Sequence, residues 1–399
     1  MKNHTLPHHR ALAVALLAGA LLFLSACPSS APTRHHQPDV TGGDDVGENH
    51  GFPDADAGPG VDVDPDSDID VETPDAGGGE IVPTPEAEIL QVGTSGILLR
   101  GVVLTPDGIL DPGEVLVEGV LITCVSEDCT GRAGASGATW IDTRGIISPG
   151  LIDGHNHLAY NFLPEWTPDP FRLFNNRYEW ADEEAYEDHV RPYAKYRSNN
   201  SHYCPGAKWG ELRSLIHATT TVQGQSAQRT CVNWGVRNAD HYHGLGHNHL
   251  RTNIGSPRDI TDAQAESLIT SFEAETNPVT RYAVHMTEGV EGNHLHTEFD
   301  SFAGRDTRTN RHQGTSLLVY GTSILIHSMI LTDEQIAEAY YAAAKIVWSP
   351  SSNFALYGVT APIEKILEVG VVTGIGPDWT VSGEPDILGE MRVALDYAR

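Results

Sequence analysis

Four histidines and two carboxylates, each at or near the end of a short apolar run, are the residues best suited to chemistry. They are His155, His157, His285, Glu288, His327 and Asp378. Residues two apart on a β-strand project from one face, so the imidazoles of His155 and His157 can reach one point. Nitrogen ligands of this kind suit a borderline divalent ion such as zinc. The pair alone is equally compatible with core packing, so the metal interpretation depends on the ligands downstream.

The segments that carry these residues alternate between strand and helix patterns. Short apolar or β-branched runs predict strands at 219–222, 282–285, 323–327, 345–350 and 371–376. Helical patterns lie at 260–277, 331–336 and 362–369, the second opening with a capping box of Thr332 and Gln335. This alternation predicts an α/β fold with a parallel sheet, and this many units suggest a (β/α)8 barrel. Barrel enzymes place their chemistry at the carboxyl ends of the strands, where the candidate residues fall.

The remaining segments suggest a division into two parts. A small β-module is expected at 89–147, with strands at 97–104, 113–122 and 139–142 separated by Gly, Pro and Asp. The barrel is expected at 148–399. Residues 158–210 are irregular and aromatic, and they predict an insertion over the barrel mouth that shapes the substrate pocket.

Taken together, the motifs resemble the amidohydrolase superfamily. They are Pro-Gly-Leu-Ile-Asp-Gly-His-Asn-His at 149–157, His-Met-Thr-Glu at 285–288, the His327 strand, Ser-Pro-Ser-Ser-Asn at 349–353 and Asp378. They are most similar to the branch of cytosine and guanine deaminases, chlorohydrolases and imidazolonepropionases, from about Ile97 to Arg399. The resemblance implies a metal-dependent (β/α)8 barrel with a flanking β-sandwich, and a hydrolase of carbon–nitrogen bonds other than peptide bonds. The implied substrate is a small molecule such as a cyclic amide, an amidine or a nucleobase-like compound.

The resemblance also implies a role for each candidate residue. One zinc or iron ion would be held by four ligands: His155, His157, His285 and Asp378. The metal would lower the pKa of a bound water, and Asp378 could take its proton. Glu288 would pass that proton to the leaving nitrogen, and His327 would orient the hydroxide or, in a binuclear site, bind metal directly. The sequence has no clear strand Lys or Glu to bridge two metals, which favours one ion. Asn353 would contact substrate or cap a strand end.

Two departures from that family and several rival functions stay open. The chain stops at Arg399, where the last barrel helix should lie, so the C-terminal part of the sandwich is expected to be incomplete. Ala218 replaces the usual Gly before the Thr-Thr-Thr strand. A dipeptidase-like binuclear hydrolase, a chlorohydrolase, a non-catalytic surface binding protein and a homo-oligomer are alternatives. The histidines within 241–249 could form a second metal site, contact substrate or lie in a surface loop.

The N-terminal region predicts export and anchoring. Residues 1–27 combine a positive start, an apolar run and Leu-Ser-Ala-Cys, which resembles the bacterial lipobox and implies lipidation of Cys27. The expected location is the cell envelope, with the protein lipid-anchored in the outer membrane; an ordinary signal peptide is the alternative. Residues 28–88 predict a disordered acidic linker, because 31–88 holds 16 Asp and Glu against one Arg. The net charge of -29 argues against a nucleic-acid partner.

Four cysteines remain besides Cys27, and export permits disulfides. Cys124 and Cys129 are close enough for a hairpin bridge, which would leave Cys204 with Cys231. Four free buried thiols are the alternative.

Overall fold

The computed structural model describes residues 86–191, 200–224, 234–240, 250–253, 257–318 and 321–399. Three predictions lie outside this part of the chain: the targeting segment with Cys27, almost all of the acidic linker, and the histidine-rich 241–249 segment. Among the described helices, none is long and apolar enough to cross a membrane. The described residues divide into two compact units, one made of 86–102 and 111–146 and the other of 103–110 and the parts of 147–399.

The N-terminal strands form one five-stranded sheet in the order β1-β5-β2-β3-β4. Its strands are β1 (Glu88–Gln91), β2 (Ile97–Thr105), β3 (Gly108–Glu118), β4 (Leu121–Ser126) and β5 (Thr139–Ile147). The single strand predicted at 113–122 is wrong: the chain turns at Gly119, whose φ of +62° suits glycine, and β3 pairs antiparallel with β4. The Cys124–Cys129 disulfide is present and lies in the core of this module. Cys204 is also disulfide-bonded, but Cys231 lies outside the described residues, so that pairing stays a prediction.

Eight further strands of the described chain pair in parallel. They are β6 (Leu151–Asp153), β7 (Thr219–Val222), β8 (Arg237–Asn238), β9 (Leu250–Asn253), β10 (Arg281–Met286), β11 (Ser323–His327), β12 (Lys345–Trp348) and β13 (Val372–Ile375). They form two sheets, β6-β7-β8 and β13-β12-β11-β10-β9. The predicted α/β fold is confirmed, although the described strands do not join into one continuous closed sheet.

The ends of β6 and β13 lie side by side. The Gly154 backbone N donates to Ile375 O at 2.9 Å, and the Asp378 N donates to His155 O at 3.1 Å. Gly376 permits this approach, because a Cβ there would lie 2.4 Å from the His155 nitrogen. The backbone after β6 is therefore held against the backbone after β13.

Helices occupy most of the connections between the parallel strands. They are α1 (Arg177–Trp180), α2 (Glu184–His189), α3 (Asn200–Ile216), α4 (Asp262–Phe272), α5 (Asn293–Phe302), α6 (Asp333–Tyr341), α7 (Pro350–Tyr357), α8 (Ile363–Val369) and α9 (Ile387–Tyr397). Thr332 and Gln335 form the predicted capping box at the start of α6. The main core lies between these helices and the parallel strands and contains Phe299, Leu325 and Trp348. Burial of each such side chain stabilises the fold by roughly 1.5–3 kcal/mol.

The prediction that 158–210 is irregular is wrong at its C-terminal end. There α3 begins at Asn200 despite Pro205, Gly206 and Gly210, which indicate breaks in a helix. Gly210 has a packing role instead, because a Cβ there would lie 2.2 Å from Leu158 O. The small residues of α3 thus let the helix approach the chain that follows β6.

Candidate metal centre

Four side chains converge at the carboxyl ends of the parallel strands. Their potential ligand atoms lie within 4.8 Å of one another, and they belong to His155, His157, His285 and Asp378. His285 lies in β10, and Asp378 follows β13. His155 is fully buried, whereas the side chain of His157 is 21% exposed. The four residues predicted as metal ligands are therefore brought together in one place.

The spacing of the His-x-His pair predicts that both histidines lie on a strand. They do not, because β6 ends at Asp153. Its geometry comes from a parallel bridge between Asn156 and Asp378. The His157 backbone N also donates to Asp378 O at 2.7 Å. This backbone pairing, rather than strand pleating, aims both imidazoles at Asp378.

Asp378 is the common partner of both histidines. Its Oδ1 lies 3.1 Å from Nε2 of His155 and 3.1 Å from Nε2 of His157, and its Oδ2 accepts a hydrogen bond from Ser352 Oγ at 2.9 Å. Burial raises the pKa of this carboxyl, but the hydrogen bonds from the two histidines outweigh it and hold the pKa well below its usual range. Asp378 also has a φ of +72°, a left-handed conformation that is costly for a residue with a side chain.

His285 provides the test of whether a metal fits. Its imidazole is buried, and burial, aided by the neighbouring imidazoles, lowers its pKa well below the usual value, so it is neutral near pH 7. Its Nδ1 is buried without a hydrogen-bond partner, which costs about 1–3 kcal/mol unless something binds there. Three imidazoles and one ionised carboxylate are a donor set that zinc and similar divalent ions accept. The residues therefore fit a divalent metal.

Glu288 and His327 lie beside this cluster. Ligand atoms of His285, Glu288 and His327 also fall within 4.8 Å of one another, and all three residues are buried. His327 ends β11 with a φ of +67°, and its Nε2 lies 3.6 Å from Glu288 Oε2. The other ring nitrogen, Nδ1, lies 3.1 Å from Asn353 Oδ1. The structure thus places Asn353 against His327, and its predicted contact with substrate stays a prediction.

Three polar residues that the sequence analysis missed contact this site. Gln223 follows β7, and its Oε1 lies 3.1 Å from His155 Nδ1. Tyr357 ends α7, and its hydroxyl donates to Glu288 Oε1 at 2.7 Å. Arg177 lies 3.8 Å from Glu288 Oε2 and 3.1 Å from Glu298. The position of Gln223 just beyond a predicted strand could have identified it, whereas the other two lie on helices and give no such signal.

Two aromatic residues pack against the ring of His157. Its ring centroid lies 5.8 Å from that of Trp379 and 6.4 Å from that of Tyr160. Trp180 packs 5.9 Å from Trp379. Tyr160 and Trp180 belong to the predicted insertion 158–210, so that segment does contribute apolar surface beside the cluster.

Comparison with known proteins identifies deaminases among the relatives of this chain. A 5-methylthioadenosine/S-adenosylhomocysteine deaminase of Haloquadratum walsbyi is 23% identical over 274 residues, covering 62% of this chain and 60% of that protein. The protein of the same name from Desulforamulus reducens is 25% identical over 332 residues, covering 74% and 72%. The solved structure of a Xanthomonas campestris adenosine deaminase with bound zinc has a TM-score of 0.47 and 16% identity, covering 76% and 74%. No protein-family model matches the chain.

The chain thus spans about three fifths to three quarters of the length of these relatives. Both relatives are named as deaminases, which are hydrolases of carbon–nitrogen bonds. The prediction of an amidohydrolase-type enzyme, one that hydrolyses carbon–nitrogen bonds, is therefore confirmed.

Proposed function

We propose that this protein is a metal-dependent hydrolase that deaminates a small nitrogen-containing compound. The observation that carries the proposal is the convergence of His155, His157, His285 and Asp378 beside a buried carboxylate, Glu288. The deaminases among the relatives support the reaction type, and the nucleoside-like compounds in their names guide the choice of substrates to test. The eight parallel strands are proposed to complete a (β/α)8 barrel through the backbone contacts between the ends of β6 and β13.

In this mechanism the metal ligands are His155, His157, His285 and Asp378, and we propose a single zinc or iron ion. When bound, the ion supplies a water molecule whose pKa is low enough for hydroxide to form near neutral pH. Asp378 lies within the ligand set and, being ionised, can accept the proton of that water. Glu288 then receives this proton from Asp378 and delivers it to the leaving nitrogen.

His327 is proposed to orient the attacking oxygen. Its Nδ1 is engaged with Asn353 Oδ1, so Nδ1 carries the proton and Nε2 is the acceptor that faces Glu288. Nε2 has no hydrogen-bond partner among the described residues and is buried. A buried acceptor at this position can receive a hydrogen bond from the nucleophile and so fix its direction.

The experiment is elemental analysis of the purified full-length chain, followed by a screen for ammonia release. Nucleosides, nucleobases, cyclic amides and triazines are the substrates to test, with chloride release measured for chlorinated triazines. We expect about one equivalent of zinc or iron per chain. A preparation that binds no transition metal would contradict the proposal, and two equivalents would favour the binuclear, dipeptidase-like alternative.

Glu288→Gln separates catalysis from metal binding. The amide keeps the shape of the side chain but cannot carry the proton, so turnover should fall by about 10²–10⁴-fold while the metal content stays unchanged. Glu291→Gln, at an exposed position three residues away, is the matched control and should retain activity. Full activity in Glu288→Gln would exclude Glu288 as the proton carrier, and a metal-loaded chain inactive on every substrate would favour a binding protein.

A further inference from the structure

Behind His155, on the side away from Asp378, lies a pair of polar side chains to which the proposed mechanism gives no role. Gln223 follows β7, and Asp240 follows β8 after one residue. Gln223 is buried, and its Oε1 lies 3.1 Å from Nδ1 of the fully buried His155. Its Nε2 donates to Asp240 Oδ1 at 3.3 Å. The three side chains form a line that starts at the candidate metal centre.

The hydrogen bonds fix the direction of every group in this line. The carboxylate of Asp240 accepts at both oxygens, because its Oδ2 receives the Gly224 backbone N–H at 2.6 Å. The Gln223 group that faces Asp240 must therefore be the NH2 donor, and the group that faces His155 must be the carbonyl oxygen. A carbonyl oxygen only accepts, so Nδ1 of His155 carries the ring proton.

This tautomer is the one that metal binding through Nε2 requires. With Nδ1 committed to Gln223, the proton that Nε2 shares with Asp378 Oδ1 is the one that a metal ion would displace, and Nε2 is then the ligating nitrogen. A partner on the non-ligating nitrogen fixes the tautomer and ring orientation of a histidine ligand, and its loss typically costs 10–100-fold in metal affinity. The opposite tautomer would place a proton on the nitrogen that should bind the ion.

Backbone contacts hold the pair in place. The Gln223 backbone N donates to Asp153 O at 3.0 Å, and Asn156 N donates to Gln223 O at 2.9 Å. The Asp240 N donates to Asn238 Oδ1 at 2.8 Å. The short strands β7 and β8 thus fix the pair to the same backbone that carries His155.

We propose that Gln223 and Asp240 are positioning residues that set the tautomer of His155 and thereby the metal affinity of the site. Gln223 acts directly on Nδ1, and Asp240 acts through Gln223 by holding its amide in one orientation. The inference rests on the proposed function, since it requires His155 to bind a metal. It adds a role for two residues that touch neither the ion nor the substrate.

The test measures the metal dissociation constant of the full chain by competition with a chromophoric chelator, which needs no substrate. Gln223→Leu removes the acceptor for Nδ1, so the dissociation constant should rise by about 10–100-fold. Gln313→Leu, at an exposed position in the same unit, is the matched control and should bind as the wild type does. The cobalt(II) absorption spectrum of each loaded variant reports the ligand geometry as a second readout.

A double variant distinguishes the loss of the hydrogen bond to His155 from misfolding of the chain. In Gln223→Glu/Asp240→Asn, the carboxylate introduced at position 223 still accepts from His155 Nδ1. The amide introduced at position 240 donates through its NH2 group to that carboxylate, and the oxygen of the same amide accepts from Gly224 N. Both hydrogen bonds return with the charge moved next to His155, so affinity should recover to the wild-type value or better.

The possible outcomes distinguish a failure of this inference from a failure of the proposed function. Wild-type affinity in Gln223→Leu, or a double variant no better than Gln223→Leu, would overturn the assignment of Gln223 and Asp240. A wild-type chain without measurable metal affinity would overturn the proposed function itself.

Discussion

The two oxygens of the Glu288 carboxylate have different surroundings. Oε1 accepts from the Tyr357 hydroxyl at 2.7 Å, and that hydroxyl lies 3.1 Å from Trp180 Nε1. An indole N–H is only a donor, so the hydroxyl accepts from Trp180 and gives its own proton to Glu288. Oε1 is thereby engaged, and Oε2, 3.6 Å from His327 Nε2, is the oxygen that remains for proton transfer.

Tyr357→Phe tests this division of roles. Phenylalanine keeps the apolar packing of Tyr357 with Phe174, Met329 and Leu356, but Glu288 loses the bond that fixes its orientation. A hydrogen bond to a charged group is worth about 1.5–3 kcal/mol, so kcat should fall by about 10–100-fold. KM should stay nearly unchanged, because Tyr357 acts on the proton-carrying Glu288 and the loss therefore falls on the transition state. Steady-state kinetics on a substrate from the ammonia screen measures both.

The control and the decisive comparison use two further variants. Tyr340→Phe, at an exposed position, should leave both constants unchanged. If Tyr357 acts through Glu288, adding Tyr357→Phe to Glu288→Gln should cause no further loss. Losses that simply add would show that Tyr357 acts independently of Glu288.

At the residue scale, the sequence predicts those site residues that are marked by a local pattern in the chain. His285, His327 and Asp378 each end or follow an apolar run, and strand ends meet at one edge of a parallel sheet. Tyr357 lies on a helix and has no such signal, whereas Gln223 directly follows a predicted strand but acts, like Tyr357, on a residue more than 60 positions away in the chain. Their roles depend on which helices and strands become neighbours, and that is information only the folded chain holds.

At the scale of elements, prediction succeeds where one local pattern dominates and fails where local signals conflict. The strands at 219–222 and 323–327 have the predicted bounds because they are short β-branched or apolar runs. By contrast, α3 contains Pro205 and two glycines that indicate a loop, although Gly210 is required by close packing against Leu158. The two-residue strand β8 is too short to carry a periodic pattern of its own.

The connection between α3 and β7 contains a strained residue. Ala218 has a φ of +65°, a left-handed conformation that costs a residue with a Cβ about 1–2 kcal/mol. Its backbone N donates to Leu215 O at 3.1 Å, and its carbonyl accepts from Leu151 N at 2.8 Å. Both backbone groups are therefore fixed, and the chain cannot relax out of this conformation.

We expect Ala218→Gly to raise the free energy of unfolding by about 0.5–1 kcal/mol. Glycine relieves the strain, and about 0.4–1 kcal/mol of this gain is offset by the greater entropy of the unfolded chain. Urea denaturation measures the difference. Ala337→Gly, within α6, is the matched control and should lower stability by about 1 kcal/mol. A fall in stability for Ala218→Gly would show that the positive φ is not a source of strain.

Helices α7 and α9 are joined through a buried carboxyl. Glu390 of α9 accepts hydrogen bonds from the Ser351 backbone N at 3.1 Å and from the Ser351 hydroxyl. Burial raises the pKa of Glu390 from 4.5 to about 8. The folded protein therefore binds this proton more tightly than the unfolded chain does. The resulting stability is fully present below about pH 4.5 and is lost as the pH rises through about 8.

Glu390→Gln should flatten this pH dependence. The amide has the shape of the neutral carboxyl but no proton to lose, so the free energy of unfolding should decline less between pH 5 and 8 than in the wild type. Urea denaturation at several pH values gives the slopes. Glu364→Gln, at an exposed position, should keep the wild-type slope. Equal slopes for Glu390→Gln and the wild type would mean that Glu390 is ionised in the folded protein.

At the scale of the whole molecule, the distribution of charge separates the N-terminal region from the rest. Residues 31–88 carry -15 of the net charge of -29, leaving -14 for the remainder. An acidic segment after a lipobox-like sequence is suited to act as a spacer. Its negative charge would be repelled by an anionic lipid surface and would hold the enzyme away from it. We therefore propose that the protein is anchored in the cell envelope through Cys27.

Cys27→Ala tests the anchor, because alanine cannot carry the thioether-linked lipid while the apolar run at 11–24 stays intact. In a bacterial host the wild type should sediment with membranes and incorporate a labelled fatty acid, whereas Cys27→Ala should do neither. Ser29→Ala, two residues beyond the motif, is the control and should behave like the wild type. Wild-type protein that is exported but soluble and unlabelled would indicate an ordinary signal peptide. Membrane association that survives in Cys27→Ala would instead place the attachment elsewhere in the chain.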